Sequence, residues 1–182
     1  MIERLTIPDV WTYAPALHED ARGAFSESFS ARALAEALAG ASFVQDNQVL
    51  SHKRGIMRGL HFQKPPTAQD KLVRVLRGSI MDVAVDIRRG SPTYGRWVSA
   101  MLSAANRLQI FVPKGFAHGY VTLEPNTEVL YKVSDFYSAK DEGGVRWNDP
   151  ALAIDWGMPA SEIAANGRDA MLPPLADLPA IF

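Results

Sequence analysis

The chain contains no cysteine among its 182 residues. Disulfide bridges and thiolate chemistry are therefore excluded, and the composition fits a reducing compartment such as the cytoplasm. No stretch approaches the roughly 18 apolar residues of a membrane span. The N-terminus, MIERLTIPDV, also lacks the apolar core of a signal peptide. The sequence thus predicts a cytoplasmic protein with no membrane-embedded part.

An excess of charge of either sign is also missing. There are 19 basic and 20 acidic residues, and they give a net charge of -1 without a long run of one sign. A nucleic-acid-binding surface normally shows as a basic excess or stripe, so no nucleic-acid partner is expected. No Rossmann or P-loop glycine motif occurs either. A few arginines could still bind the phosphates of one small anionic molecule.

Short strand-like segments separated by turn residues fill the middle of the chain. They are SFVQDNQVL, IMRGLHF, KLVRVL, SIMDVAVDI, RWVSAML, RLQIFVP, GYVTLE and TEVLYKV. The intervening Gly, Pro and Asn residues are those that turns require. This spacing predicts an antiparallel sandwich or barrel. Because no linker divides the chain, we expect a single domain over residues 1–182.

Few helices are expected around this sheet structure. SARALAEALAG predicts one helix, with Ser30 as its N-cap and Gly40 at its end. A second, short helix is predicted near Pro159. The proline-rich segment PPLADLP is expected to wrap over the surface.

Strand parity assigns polar residues to one face of the sheet, because successive side chains point to opposite sides. His61 and Gln63 share a face of one strand, and Asp82 and Asp86 share a face of another, opposite the larger hydrophobic residues. If the sheet closes on itself, these residues and Tyr131 would line a polar lumen suited to ligand binding. The alternative is that the polar faces simply contact water.

Histidine chemistry leaves several interpretations open. His61 could be a general base, a metal ligand or a framework histidine, and His118 is the obvious second histidine of a site. A metal site in a barrel needs three or four N or O ligands, often including a close His-x-His pair. That pair is missing, so no metal is expected.

Other side chains could take part in acid–base chemistry. Lys71 could stabilise an oxyanion or lie at a solvated strand end. Tyr131 could be a general acid or a core residue with a satisfied hydroxyl. Arg22 and Arg58 could bind phosphates or form surface ion pairs. Together the set suits proton abstraction next to a carbonyl, but residue spacing alone does not choose the substrate.

Five segments carry a resemblance to a known family. They are DARGAFSE (20–27), QDNQVLSHKRGIMRGLHFQ (45–63), PPTAQDKLVRVLRGSIMDVAVDIRRGSPTYGRW (65–97), VPKGFAHGYVTL (112–123) and EVLYKVSDFYSAKDEGGVRWNDP (128–150). In this order they make the chain resemble the dTDP-4-dehydrorhamnose 3,5-epimerases from about residue 7 to 173. The resemblance implies a mainly β, cupin-like double-stranded β-helix, that is, a jelly-roll barrel with a few short peripheral helices.

The resemblance also implies an activity and its main catalytic residues. The expected reaction inverts C3 and C5 of dTDP-4-dehydro-6-deoxy-D-glucose and gives dTDP-4-dehydro-L-rhamnose without a cofactor. His61 matches the general base and Asp169 its carboxylate partner, while Lys71 matches the lysine near the sugar's carbonyl oxygen and Tyr131 the general acid. The alternatives are a single-carbon epimerase on a related 4-keto-6-deoxy sugar nucleotide, a metal-dependent cupin enzyme and a non-catalytic sugar-binding module.

Further positions follow from the same resemblance. His118 matches a second active-site histidine, and Asp82 matches its partner. The implied substrate-binding residues are Arg22, Glu27, Gln45, Asp46, Asn47, Arg58, Tyr137 and Glu142. To these we add Gln63 from strand parity and Arg168, which stands where the family usually has lysine. A homodimer is implied in which an N-terminal segment, assigned to QDNQVLSHKRG, crosses to the partner. The pair Gly143–Gly144 is expected to add flexibility to its loop.

Overall fold

Two antiparallel β-sheets face each other in the computed structural model, which describes residues 1–182. The strands are β1 (Ile2–Arg4), β2 (Trp11–Tyr13), β3 (His18–Asp20), β4 (Gly23–Phe25), β5 (Gln45–Ser51), β6 (Met57–Gln63), β7 (Lys71–Arg77), β8 (Ser79–Asp86), β9 (Trp97–Ser103), β10 (Gln109–Val112), β11 (Phe116–Thr122), β12 (Thr127–Val133) and β13 (Glu142–Gly144). The helices are α1 (Ala35–Leu38) and α2 (Gly167–Ala170), with 3-10 turns at Ala160–Glu162 and Leu175–Asp177. The mainly β prediction is confirmed.

Strands distant in sequence lie side by side in both sheets. The six-stranded sheet has the order β1-β2-β10-β7-β12-β5, and the five-stranded sheet has the order β13-β6-β11-β8-β9. Strands β3 and β4 form a separate hairpin that joins neither sheet. All strand pairs are antiparallel, as expected of a jelly roll.

Most of the space between the sheets is apolar. Ile80 and Ala84, which share a face of β8 with Asp82, are completely buried against residues such as Val73 of the facing sheet. The predicted polar lumen is therefore wrong for most of the interior. At one end, the polar side chains of His61, Lys71, His118 and Tyr131 surround a cavity.

Asp86 does not reach that end. Its carboxylate is completely buried and accepts hydrogen bonds from the Arg88 guanidinium at 2.8 and 3.0 Å and from the hydroxyls of Ser91 and Thr93, each at 2.6 Å. Because Asp86 is the last residue of β8, its side chain binds the following turn. Its predicted place in the lumen is wrong.

Other segments of the chain cover the outer face of each sheet. The larger hydrophobic residues of β8, such as Val83 and Val85, pack against Trp156 and the C-terminal segment, where the leucines of PPLADLP are buried. The other sheet is covered by α1 and the turn before it, through Leu34 and Leu38. The polar end of the cleft is therefore held between two walls that are each packed on both faces.

The first predicted helix is much shorter than expected. Only Ala35–Leu38 is α-helical, and turns precede it, although the Ala33 amide does donate to the Ser30 hydroxyl at 3.3 Å. The helix ends where Ala39 and Gly40 take positive φ values of 49° and 91°. An isolated helix of this length is marginal without tertiary contacts. With four residues each, neither α-helix is long enough to cross a membrane.

Candidate active site

Two adjoining cavities, of about 130 and 220 Å³, lie at the polar end of the sandwich. His61, Lys71 and Tyr131 line both cavities and so stand where they meet. His61 belongs to the five-stranded sheet, whereas Lys71 and Tyr131 belong to the six-stranded sheet. The imidazole and the phenol are therefore supplied by opposite walls of one cleft.

A larger cavity of about 520 Å³ lies elsewhere, beside Arg88 and Phe182. It is lined by no histidine, lysine or tyrosine. Both smaller cavities are lined by histidine, lysine and tyrosine side chains, which are suited to acid–base chemistry, and we place the candidate site there.

A bulge in β6 turns two functional side chains toward the cleft. Gly59 and Leu60 together oppose Gly119 of β11, so the usual alternation is shifted by one residue. A Cβ on Gly59 would lie 2.6 Å from the Gly119 Cα, which shows how closely the two backbones approach. As a result, Arg58 and His61 line the same cavity, although strand parity would place them on opposite faces.

His61 is held by a buried carboxylate. Its Nε2–H donates to Oδ1 of Asp169 at 2.7 Å, and Oδ2 accepts the backbone N–H of Gly59 at 3.2 Å. Burial opposes ionisation of this carboxyl, but the bonds from His61 and Gly59 hold the pKa of Asp169 below its ordinary value. Asn166 caps α2 by accepting the Asp169 amide at 2.7 Å. Asp169 can therefore stabilise an imidazolium and leave Nδ1 of His61 for a substrate.

A second histidine–carboxylate pair lies deeper in the cleft. Nε2 of His118 is 2.9 Å from both carboxylate oxygens of Asp82, and both residues are buried. His118 lines the larger cavity, whereas Asp82 lies behind it. The structure therefore brings together both predicted histidines, each with its predicted carboxylate.

Lys71 supplies a positive charge beside His61. Its Nζ donates to the main-chain oxygen of His61 at 3.4 Å. Burial lowers the pKa of Lys71 to about 8, although Asp82 and Glu142 oppose that shift. At neutral pH most of this lysine is therefore an ammonium that can stabilise a developing oxyanion.

Tyr131 faces the same space with a protonated phenol. Burial raises the pKa of Tyr131, and the nearby guanidinium of Arg58 only partly offsets that rise. A phenol that keeps its proton can act as a general acid.

At the open end of the cleft, charged and aromatic side chains form one hydrogen-bonded group. The Tyr137 hydroxyl donates to Oε2 of Glu142 at 2.7 Å, and the Arg168 guanidinium lies 2.6 Å from the same oxygen. Burial acts to raise the pKa of Glu142, but these two partners lower it. Gln45 and Asn47 line the cavity beside them, bonded to each other at 2.8 Å.

Gln63 lines the smaller cavity, but the protein backbone engages its amide. The side-chain nitrogen donates to the Thr67 carbonyl at 2.7 Å, and the side-chain oxygen accepts the Ser138 amide at 2.6 Å. Gln63 therefore fixes the loop that carries Tyr137.

The two neighbouring glycines of β13 are required by close packing. A Cβ on Gly143 would lie 2.6 Å from the Phe62 ring, and one on Gly144 would lie 2.7 Å from the Leu60 carbonyl oxygen. Both residues belong to a strand paired with β6, so the prediction that they lie in a loop is wrong.

Four predicted substrate-binding residues do not line either cavity, and one of them, Arg168, is the guanidinium bonded to Glu142 at the open end of the cleft. Arg22 is 89% exposed on the β3–β4 hairpin and pairs with Asp20 at 2.6 Å. Glu27 is also exposed. Asp46 points to the outer face of β5, where it accepts a hydrogen bond from Lys132 at 2.9 Å.

The structure contains no cluster of three or more His, Cys, Asp or Glu side chains arranged to hold a metal ion. It does add cavity-lining residues that the sequence analysis missed, namely Phe62 and Gln69 in the smaller cavity and Val49, Tyr120 and Asn166 in the larger one. Tyr120 could have been found by parity, because it lies two residues after His118 in the same strand. No comparable pattern marks Asn166, which lies outside the strands.

Comparison with known proteins identifies the family. The sequence model of the dTDP-4-dehydrorhamnose 3,5-epimerases matches residues 4–177. The chain belongs to this family. It is 46% identical to the dTDP-4-dehydrorhamnose 3,5-epimerase of Sinorhizobium fredii, with 99% of this chain and 92% of that protein covered.

Solved structures of epimerases share its fold. The dTDP-6-deoxy-D-glucose-3,5-epimerase RmlC from Legionella pneumophila, solved with dTDP-4-keto-L-rhamnose, is 41% identical, with a TM-score of 0.93 over 99% of this chain and 95% of that one. ChmJ, a 3'-monoepimerase from Streptomyces bikiniensis solved with dTDP-quinovose, is 32% identical, with a TM-score of 0.87 over 95% and 87%. The predicted cupin-like epimerase fold is therefore confirmed.

Proposed function

We infer that this chain is a 3,5-epimerase that converts dTDP-4-dehydro-6-deoxy-D-glucose to dTDP-4-dehydro-L-rhamnose. Its family membership supports the substrate class and the reaction. The observation that carries the mechanism is the placement of His61 and Tyr131 on opposite walls of one cleft. Inversion of a carbon needs a base on one side and an acid on the other.

The first step is removal of a proton beside the ketone. The C4 carbonyl acidifies the hydrogens on C3 and C5, because the resulting carbanion is delocalised as an enolate. Nδ1 of His61 accepts the proton, and the electron pair of the broken C–H bond moves toward the C4 oxygen. Asp169 stabilises the imidazolium through its bond to Nε2.

The second group of residues stabilises the enolate. The Lys71 ammonium, with its lowered pKa, donates to the C4 oxygen as negative charge develops there. His118, fixed by the buried Asp82, supplies a further polar contact in the deeper cavity. Neither contribution calls for a metal or a redox cofactor.

Inversion follows when Tyr131 protonates the carbon from the other face. The phenol gives its proton to C3 or C5 as the enolate returns to the ketone, and solvent restores the starting protonation states. The same cycle at the second carbon completes the reaction.

The nucleotide end of the substrate extends toward the open end of the cleft. Tyr137, Glu142 and Arg168 form the hydrogen-bonded rim there, and Gln45 and Asn47 lie beside it. Arg58 is a further cation, beside Lys71, in the lining of the deeper cavity. These residues contact the dTDP-sugar, and the protein works in the cytoplasm without a cofactor.

Arg22, Glu27 and Asp46 bind substrate only within a homodimer. The β3–β4 hairpin is separate from both sheets, and its Phe25 is 69% exposed, so the hairpin is free to reach a partner's cleft. The other N-terminal segment, QDNQVLSHKRG, places β5 at an open sheet edge, although its Gln45 and Asn47 line this chain's own cavity. Light scattering should give twice the chain mass of 20.0 kDa, and a mass of one chain would contradict the dimer.

Proton exchange in deuterated water tests the activity directly. The purified protein is incubated with dTDP-4-dehydro-6-deoxy-D-glucose, and the product is read by NMR. A 3,5-epimerase incorporates deuterium at both C3 and C5. If neither carbon is labelled, in a folded protein that binds the nucleotide sugar, the result would instead indicate a binding module.

A single-carbon epimerase is the second candidate, because this chain is also similar to the 3'-monoepimerase ChmJ. In that case the label would appear, with inversion, at one carbon only. The higher identity to 3,5-epimerases favours inversion at both carbons.

A further inference from the structure

Tyr120 is a buried phenol with an unpaired hydroxyl. The residue is only 5% exposed, and its hydroxyl has no hydrogen-bond partner in the protein. It lines the larger cavity together with His61, His118 and Tyr131. The catalytic scheme above makes no use of it.

An unpaired buried hydroxyl is unfavourable, because it loses its hydrogen bonds to water without replacement. The other buried polar groups of the site are paired: Asp169 with His61, and Asp82 with His118. Tyr120 is therefore the exception at this end of the sandwich. A bound ligand that offers a hydrogen-bond acceptor to this hydroxyl would remove the unfavourable state.

The position of Tyr120 in the fold limits the role that it can have in the reaction. It lies on β11, in the same five-stranded sheet as His61, and it pairs in register with Arg58 and Asp82 on the two neighbouring strands. It is thus on the wall of the base, not on the wall of Tyr131, and cannot protonate the carbon from the opposite face. Burial raises the pKa of the Tyr120 phenol, so the group keeps its proton and serves as a neutral donor.

We propose that Tyr120 is a substrate-contacting residue whose hydroxyl donates a hydrogen bond to an oxygen of the sugar, on the side of the ring that faces His61. The identity of the sugar-bearing ligand rests on the proposed function. The contact fixes the sugar relative to the base and distinguishes the sugar nucleotide from the nucleotide alone.

The test is the binding of two unreactive ligands to Tyr120→Phe. dTDP-glucose carries a sugar but no ketone, and dTDP carries no sugar. Calorimetric titration should show affinity for dTDP-glucose about 3- to 10-fold lower than in the unchanged protein, with affinity for dTDP unchanged. Tyr94→Phe, a partly buried tyrosine packed outside the cleft, is the matched control and should change neither affinity.

Two further readouts separate a ligand contact from a structural role. Thermal unfolding of the ligand-free variant should occur at the same temperature or higher, because an unpaired hydroxyl is removed. Turnover of the 4-keto substrate should fall in kcat/KM by a similar factor. An equal loss for dTDP and dTDP-glucose, no loss for dTDP-glucose, or a clearly lower unfolding temperature would each overturn the proposal.

The two affinity measurements, with dTDP-glucose and with dTDP, do not depend on turnover. If the unchanged protein fails to epimerise the 4-keto substrate, the proposed function fails, while the comparison of dTDP-glucose with dTDP still decides the role of Tyr120. If turnover is present but the two affinities change in parallel, the function stands and the Tyr120 contact is rejected.

Discussion

The pair His61–Asp169 offers the sharpest single substitution, Asp169→Asn. In the native protein the carboxylate accepts two N–H groups, from His61 at 2.7 Å and from Gly59 at 3.2 Å. An asparagine has one acceptor oxygen and one NH2 group, so it cannot accept both. If the NH2 group faces His61, it donates to Nε2 and moves the ring proton to Nδ1, which is the atom needed as the base.

The expected loss follows from these two effects. A hydrogen bond to a charged group contributes about 1.5–3 kcal/mol, so loss of imidazolium stabilisation alone lowers kcat/KM by about 10- to 150-fold. The wrong tautomer removes the base itself and raises the total loss to about 10⁴-fold, the size of effect known for an Asp→Asn change behind a catalytic histidine in serine proteases. We therefore expect a loss of about 10²- to 10⁴-fold in Asp169→Asn.

The assay is steady-state epimerisation, with unfolding temperature as the check on folding. Asp177→Asn changes an exposed aspartate of the same C-terminal segment and should leave kcat/KM within twofold. Activity of Asp169→Asn within threefold of the unchanged protein, while His61→Asn is inactive, would refute the argument that the carboxylate sets the tautomer and charge of His61.

Three other predictions concern the charged groups and the packing. Because burial lowers the pKa of Lys71 to about 8, kcat/KM should fall as pH rises through that value. Lys71→Met should lower kcat/KM by about 10²- to 10³-fold at neutral pH. A kcat/KM that stays constant up to pH 9 would contradict this role. The pKa of Asp86 is about 2 in the folded protein, below the roughly 3.9 of an unfolded chain. Asp86 therefore contributes about 2–3 kcal/mol to the free energy of unfolding above pH 4, and this contribution is lost as pH falls toward 2. Acid titration of unfolding free energy checks this, since Asp86→Asn should flatten that part of the curve. Gly144→Ala should destabilise the fold by about 1–3 kcal/mol in denaturant titrations, because its Cβ meets the Leu60 carbonyl, whereas Gly90→Ala, with open space, should change little.

Strand positions were largely predictable because alternation and turn residues are local signals. TEVLYKV coincides with β12, and SIMDVAVDI and KLVRVL differ from β8 and β7 by one residue at one end. Parity correctly placed the larger hydrophobic residues of β8 on one packed face. The histidine–carboxylate pairs came from family motifs, because Asp169 lies far from His61 in sequence and no spacing rule connects them.

The remaining errors come from non-local packing. The bulge at Gly59 depends on how closely β6 approaches β11, so parity could not show that Arg58 and His61 share a cavity. Parity places Asp86 on the same face as Asp82, but Asp86 is the last residue of its strand. Its carboxylate therefore accepts hydrogen bonds from donors of the following turn. The interior is mostly apolar because each wall fills it with aliphatic residues away from the cleft.

The most direct test of opposed base and acid separates proton exchange from inversion in Tyr131→Phe. In deuterated water this variant should still exchange the hydrogens at C3 and C5 through His61, but it should return them to the same face, so NMR shows labelled substrate and little epimerised product. His61→Asn should show neither exchange nor inversion. If Tyr131→Phe inverts the two carbons at the rate of the unchanged protein, the phenol is not the acid and the mechanism is wrong.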